Sequence, residues 1–303
     1  MRLTGITLII FILLTALSSC SEEPDGYRRD KPTEIPADST AFKDNPLWQR
    51  HHGSSLKILA IGNSFTVNAT TDMPWLINRL NGDSICIARV TRGGCSLKMH
   101  WAGHIENSEE YTLYYSDNGE WTLSDIKTLD EALEILDWDI ITLQQVSGHS
   151  GLYSTYQPYL SNLTKLIHDT NPEALLAWHC TWAYTPWTEH PDFKYYDRNS
   201  EKMYDDIMKT YDKISGYFDI CIPSAPLVKQ LREEFPDVEN GFSDDGFHIV
   251  DNFAVYVLSS LWYDVLIRPV YGTSRNSLSS LPWGVGQEEM EKAEVIISDV
   301  LAR

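Results

Sequence analysis

From about residue 55 onward, short apolar runs alternate with longer stretches whose apolar positions recur every three or four residues. "LKILAIG" (56–62), "SICIARVT" (84–91), "WDIITLQQV" (138–146), "ALLAWHC" (174–180) and "YFDICIP" (217–223) are rich in Ile, Leu and Val. Bounded by Gly, Pro, Asn or Asp, they predict five strands. Helical periodicity covers 72–81, 128–137, 155–169, 199–215, 224–235, 251–266 and 286–301. Strands that are apolar along their length need cover on both faces, and their alternation with helices predicts a mostly parallel sheet. The expected fold is therefore α/β, a three-layer α/β/α sandwich around a central five-stranded sheet. One stretch departs from the alternation. "YTLYYSDNGEWTL" (111–123) places aromatic and polar residues in turn on both sides of Asp117-Asn118-Gly119, which predicts a β-hairpin inserted between the second and third strands.

The N-terminal pattern is of another kind. "MRLTGITLIIFILLTALSSC" has one basic residue, an apolar stretch over 6–17 and small residues before Cys20. Such a segment is a secretory signal, too short to act as a spanning helix. Leu17-Ser18-Ser19-Cys20 resembles a bacterial lipobox, which implies a signal peptide over 1–19 and a lipidated Cys20. The acidic, proline-containing segment that follows reads as a tether over 20–55, leaving 56–303 as the folded domain. Acidic residues directly after Cys20 resemble surface-export signals of some diderm bacteria. The expected location is the cell envelope, with the membrane touched through the lipid anchor only.

Composition changes this picture in two respects. The chain is 43% hydrophobic and 22% charged, ordinary for a globular protein, but its formal net charge is −19. Without a basic stripe or Lys/Arg cluster, nucleic-acid binding is disfavoured, because phosphate contacts need cations. An acidic surface also repels anionic polymers, so neutral or weakly charged substrates suit it better. Beyond Cys20 stand Cys86, Cys95, Cys180 and Cys221. Export permits disulfides, four cysteines allow three pairings, and no spacing selects one. With no CxxC, a structural zinc site is disfavoured, and buried free thiols are the preferred reading.

Ligands of an open parallel sheet bind beyond the carboxyl ends of its strands, so the residues after each run carry the candidate chemistry. After the first come Gly62-Asn63-Ser64, where Ser64 is either a nucleophile or a helix cap. "TRGGCSL" follows the second, and the glycine pair Gly93-Gly94 allows a backbone N–H to approach a substrate closely, as an oxyanion hole requires. The third ends in "LQQVSG", whose Gln144 or Gln145 could donate to an oxyanion or satisfy neighbouring backbone groups. The fourth leads into "WHCTWAYTPWTEH", an aromatic-rich loop with His179, Trp182, Tyr184, Trp187 and His190 that suits sugar rings or plain packing. Near the C-terminus, "FSDDGFHIV" sets Asp245 three residues before His248, a spacing that lets a carboxylate hold one imidazole nitrogen while the other faces Ser64. A metal pair or a solvated turn is the competing reading, and Asp244 is the neighbouring alternative to Asp245.

In this order, "AIGNSF", "RGGCSL" and "SDDGFH" resemble the blocks of the SGNH (GDSL-like) hydrolase superfamily over about residues 56–270. Together with "DWDIITLQQVSGHSG" and "HCTWAY" they resemble a branch of it whose domain has no assigned function and which is found in bacterial lipoproteins. The resemblance implies a flavodoxin-like fold and a serine esterase with Ser64 as nucleophile, His248 as base and Asp245 as its orienter. It implies an oxyanion hole from the Ser64 amide and Gly93 or Gly94. A related glycan acetylesterase branch carries Gln-Gly at the third block, which makes Gln145 the first choice of side-chain donor there, ahead of Gln144 and Ser147. His179, Trp182, Tyr184 and Asn63 are the substrate-binding candidates. No metal or organic cofactor is implied. Two positions depart from the family pattern: Asn63 stands where Asp is usual, and "LQQVSG" replaces the third-block Gly-x-Asn. The expected activity is removal of acetyl or another small acyl group from glycans. A catalytically silent glycan-binding lipoprotein, or an enzyme acting on lipid or peptidoglycan acyl groups, are the alternatives.

Overall fold

The computed structural model describes residues 44–51, 54–282 and 284–302. The expected signal peptide, Cys20 and most of the expected tether lie outside the described residues. Within the expected tether, however, α1 (Pro46–His51) forms a short helix whose Leu47 is completely buried, so packing onto the domain begins before residue 56.

All five expected strands are present: β1 (Leu56–Gly62), β2 (Ile85–Thr91), β5 (Ile140–Leu143), β6 (Leu175–His179) and β7 (Ile220–Ile222). They pair parallel in the order β2-β1-β5-β6-β7, with Leu56 opposite Ile85 and Ile58 opposite Ile140. Strands β1, β2 and β5 are buried nearly throughout, the pattern of a sheet covered on both faces. The chain leaves β1 in one direction for β2 and in the other for β5. That switch point opens a crevice beyond the carboxyl ends of β1 and β5.

The sheet itself is larger than expected. The hairpin β3 (Thr112–Asp117) and β4 (Glu120–Leu123) is not a separate insertion. It continues the same sheet past β2, antiparallel, giving seven strands in the order β4-β3-β2-β1-β5-β6-β7. Asn118 and Gly119 both have positive φ, as the two-residue turn requires. Arg89 on β2 binds the hairpin by presenting its guanidinium 4.2 Å from the Trp121 ring centroid and 5.4 Å from that of Tyr114.

Helices cover both faces. Next to β1 lie α2 (Ser64–Thr70) and α3 (Met73–Leu80), and α4 (Leu97–Glu106) follows β2. Farther along come α5 (Leu129–Glu134), α6 (Tyr159–Thr170), α7 (Ser200–Ile214) and α8 (Ser224–Glu234). α9 (Asn252–Leu266) is buried on every side from Phe253 to Leu266, enclosed by its neighbours. The short α10 (Arg268–Tyr271) and α11 (Gln287–Leu301) complete the chain. α9 and α11 are joined through buried Arg275, whose guanidinium takes Asp264 in a two-point contact at 3.1 and 2.6 Å and Glu294 at 2.5 and 3.0 Å. α4 escaped the sequence pattern because "LKMHWAGHIE" carries a central glycine and little apolar periodicity. Gly103 is there for space: a Cβ would lie 2.7 Å from the Tyr111 hydroxyl. No helix among the described residues is long and apolar enough to cross a membrane. Among the described residues Cys86, Cys95, Cys180 and Cys221 are joined in no disulfide.

Candidate active site

At the end of β1 the backbone runs so close to α2 that a Cβ on Gly62 would fall 2.0 Å from Thr66 Oγ1. Asn63, not Ser64, caps the helix: its Oδ1 accepts from Phe65 N at 3.0 Å. Ser64 is then the first helical residue, half-buried, with its hydroxyl left for other work. That hydroxyl lies 2.7 Å from His248 Nε2, across 184 residues of chain.

The opposite loop is built to aim His248. Asp245 Oδ1 accepts from the backbone N–H groups of His248 (2.8 Å) and Phe247 (3.0 Å), folding the Asp-x-x-His segment into a tight turn. Oδ2 then takes His248 Nδ1 at 2.7 Å. A carboxylate can only accept, so Nδ1 carries the proton and Nε2 is the acceptor toward Ser64. Burial pushes the Asp245 carboxyl up, but the His248 and Phe247 amides and the His248 side chain outweigh it and hold it below its ordinary value. Gly246, at φ +84°, brings the turn against Thr185 and Thr188, whose Oγ1 donates to Asp245 O at 2.9 Å. Asp244 is exposed, and the described residues give it no hydrogen bond.

On the β2 side, Gly93 and Gly94 form an exposed turn with Gly94 at φ +60°. Arg92 N donates to Gly62 O and Cys95 N to Arg92 O, while neither glycine N–H is taken by a partner among the described residues. The Ser64 N–H likewise has no hydrogen-bond partner among the described residues.

Several expected contacts fall elsewhere. Both glutamines are buried and committed inside the protein. Gln144 Oε1 accepts from the Thr66 hydroxyl and faces His179 Nδ1 at 3.1 Å, while its Nε2 donates to Asn63 Oδ1 at 2.7 Å. Gln145 Oε1 accepts from Leu97 N and Val146 N, and its Nε2 donates to Thr155. Gln144 Nε2 also donates to Gln145 O at 3.4 Å and Gln145 Nε2 to Thr155 O at 3.5 Å, so among the described residues both amides are committed to tying strand-end loops together. Ser147 is spent on Tyr184, Oγ to Oη at 2.8 Å. His179, Trp182 and Tyr184 are fully buried, which corrects their expected contact with substrate. His179 lies between Gln144 and Ser224, and burial pushes its imidazole down to about 3, so it stays neutral. Trp182 supports the site from behind: it stacks on Phe65 at 4.4 Å and donates Nε1 to Phe247 O at 2.8 Å. Phe65 and Phe247 in turn lie 5.6 and 4.3 Å from the His248 ring. Asn63 is buried too, its Nδ2 donating to Cys95 O at 3.0 Å. It fastens the serine turn to the Gly93-Gly94 turn. Sequence reading singled out neither Thr66 nor Ser243, which accepts from Gly246 N at 2.8 Å. Only the small polar residues near the two motifs hinted at them.

The molecule is thus an open, doubly wound α/β/α domain with a Ser–His–Asp relay at its topological switch point. It belongs to the DUF4886 family, a domain of unknown function whose model matches residues 57–279. A DUF4886 family protein from Bacteroides uniformis is 28% identical, with a TM-score of 0.72 over 82% of this chain and 95% of that one. A protein from Parabacteroides merdae, proposed to be a GDSL-like lipase, shares the fold at a TM-score of 0.50 and 14% identity, over 71% and 97% of the two chains. A proposed SGNH hydrolase from Slackia heliotrinireducens aligns at 0.47 and 16%, over 70% and 100%. No curated protein matches the chain.

Proposed function

We propose that this protein is a serine esterase of SGNH type that removes acetyl or another small acyl group from glycans. The observation that carries the reading is the unbroken relay from Ser64 Oγ to His248 Nε2 and from His248 Nδ1 to Asp245 Oδ2, each step 2.7 Å. As Oγ attacks an ester carbonyl, Nε2 takes its proton. The imidazolium that forms is oriented and stabilised by Asp245, which stays ionised. The free N–H groups of Ser64 and of Gly93 or Gly94 meet the tetrahedral oxyanion, each donor worth on the order of 2–4 kcal/mol of barrier. His248 then protonates the departing alcohol, and water repeats the sequence on the acyl-enzyme. The acidic chain and the exposed Trp187 and Tyr195 rings of the loop after β6 favour an uncharged sugar ester over a phospholipid or polyanionic substrate. Cys20 is the proposed lipid anchor to the cell envelope.

Turnover of p-nitrophenyl acetate by wild type and Ser64→Ala tests the reading. The variant is expected to lose on the order of 10³-fold or more in kcat, with an unchanged melting temperature. A wild type no faster than the alanine variant overturns the esterase.

A further inference from the structure

Beside the relay, two loops leave the carboxyl ends of β5 (144–158) and β6 (180–199) and are clamped together. Ser147 meets Tyr184, Ser150 Oγ meets Thr181 Oγ1 at 2.8 Å, and Tyr196 donates its hydroxyl to Gly148 O at 3.0 Å. Asp192 lies directly on this joint: a Cβ on Gly148 would fall 2.4 Å from its Oδ2. The carboxylate is half-buried, yet among the described residues it accepts no hydrogen bond. The imidazole of His149 faces it with Nε2 3.9 Å away, too far for a direct bond and wide enough for a ligand oxygen to bridge. A fixed, half-buried acceptor without a donor is what a hydroxyl-bearing ligand would satisfy.

His190 completes the arrangement. Its Nδ1 accepts from Asp192 N at 3.2 Å, so its proton sits on Nε2, which has no partner among the described residues. Burial pushes this imidazole down, keeping it a neutral donor. Phe247 packs edge-on against His190 at 4.7 Å and against His248 at 4.3 Å, so the two imidazoles lie within about 9 Å of each other. The Tyr195 ring, 44% exposed, stands 6.1 Å from His149; Lys194 Nζ lies over it 5.2 Å from the centroid, which leaves the opposite face for a ligand.

We infer that Asp192, His149 and His190, flanked by Tyr195, form the subsite for the alcohol portion of the ester and select a neutral pyranose through its ring hydroxyls. The inference rests on the esterase reading above. Asp192 accepts from one ring hydroxyl, His149 and His190 donate to its neighbours, and Tyr195 covers the C–H face. A carboxylate in this position repels uronic and sulfated sugars.

The test compares two esters of equal ring size on the full chain: a monoacetylated methyl glucopyranoside and cyclohexyl acetate, which lacks ring hydroxyls. Wild type is expected to prefer the glucoside by at least about 10-fold in kcat/KM, and Asp192→Asn to cut that ratio by about 10-fold, through KM. His190→Gln, which keeps an amide donor, is expected to retain most of the preference, whereas His190→Ala loses it. An equal loss on both esters, an unaltered ratio in Asp192→Asn, or a wild type without preference each overturns the subsite. Activity on cyclohexyl acetate together with no preference leaves the esterase standing, whereas inertness toward both esters and p-nitrophenyl acetate removes both.

Discussion

At the strand end of β1, Asn63 and Ser64 divide two duties that one serine could have carried. Asn63 caps the helix and pins the Gly93-Gly94 turn through Cys95 O, which leaves the serine hydroxyl free for His248. The same division of labour separates Asp245 from Asp244, since only Asp245 faces the imidazole and two backbone amides. Asp245→Ala is accordingly expected to lower kcat on p-nitrophenyl acetate by on the order of 10³–10⁴-fold, and Asp244→Ala by no more than about twofold. Steady-state kinetics on both variants, with melting curves as a folding control, decide it; a larger loss in Asp244→Ala reverses the assignment. The Asp245–His248 step was legible in the sequence because Asp-x-x-His spacing is a local property of one turn. Burial of Trp182 was not, because whether its ring points at solvent or at Phe65 depends on a helix more than a hundred residues away.

Among the elements, β1 was readable to the residue and β2 and β6 to within one residue at each end, whereas β7 takes up only Ile220–Ile222 of 217–223. β5 is shorter than its pattern, Ile140–Leu143 rather than 138–146, because Gln144 and Gln145 leave the ladder to bind neighbouring loops. The hairpin was readable as a hairpin, but nothing in a local pattern says which edge an exposed pair of strands will join. The junction of α2 and α3 holds another feature that a local pattern does not show. Asp72 precedes α3 without capping it, and burial raises its carboxyl to about 6. An acid whose folded value lies above its unfolded one costs stability as pH climbs from about 4 to 6, and the cost persists above that range. The positive end of α3 offsets part of it. Asp72→Asn is therefore expected to stabilise the fold by roughly 1 kcal/mol at pH 7.5 and by almost nothing at pH 4. Thermal melts at the two pH values check this, and an equal shift at both would refute it.

For the molecule as a whole, alternation of strand and helix was enough to predict the layered architecture, since few connections can cover a parallel sheet on both faces. The N-terminal segment carries its own experiment. If Cys20 bears lipid, Cys20→Ser is expected to move the protein from the membrane fraction to the soluble fraction of cells expressing the full chain, and unchanged fractionation would sink the anchor. Charge shapes the interior differently from the surface. The chain carries −19 overall, yet the floor beneath the serine is made of Asn63, Gln144, Gln145 and a neutral His179. The amides do not titrate, and His179 does so only near 3. The foundation of the site therefore holds its shape while acidity changes around it, and a pH profile of turnover near neutrality reads the reacting groups rather than their supports.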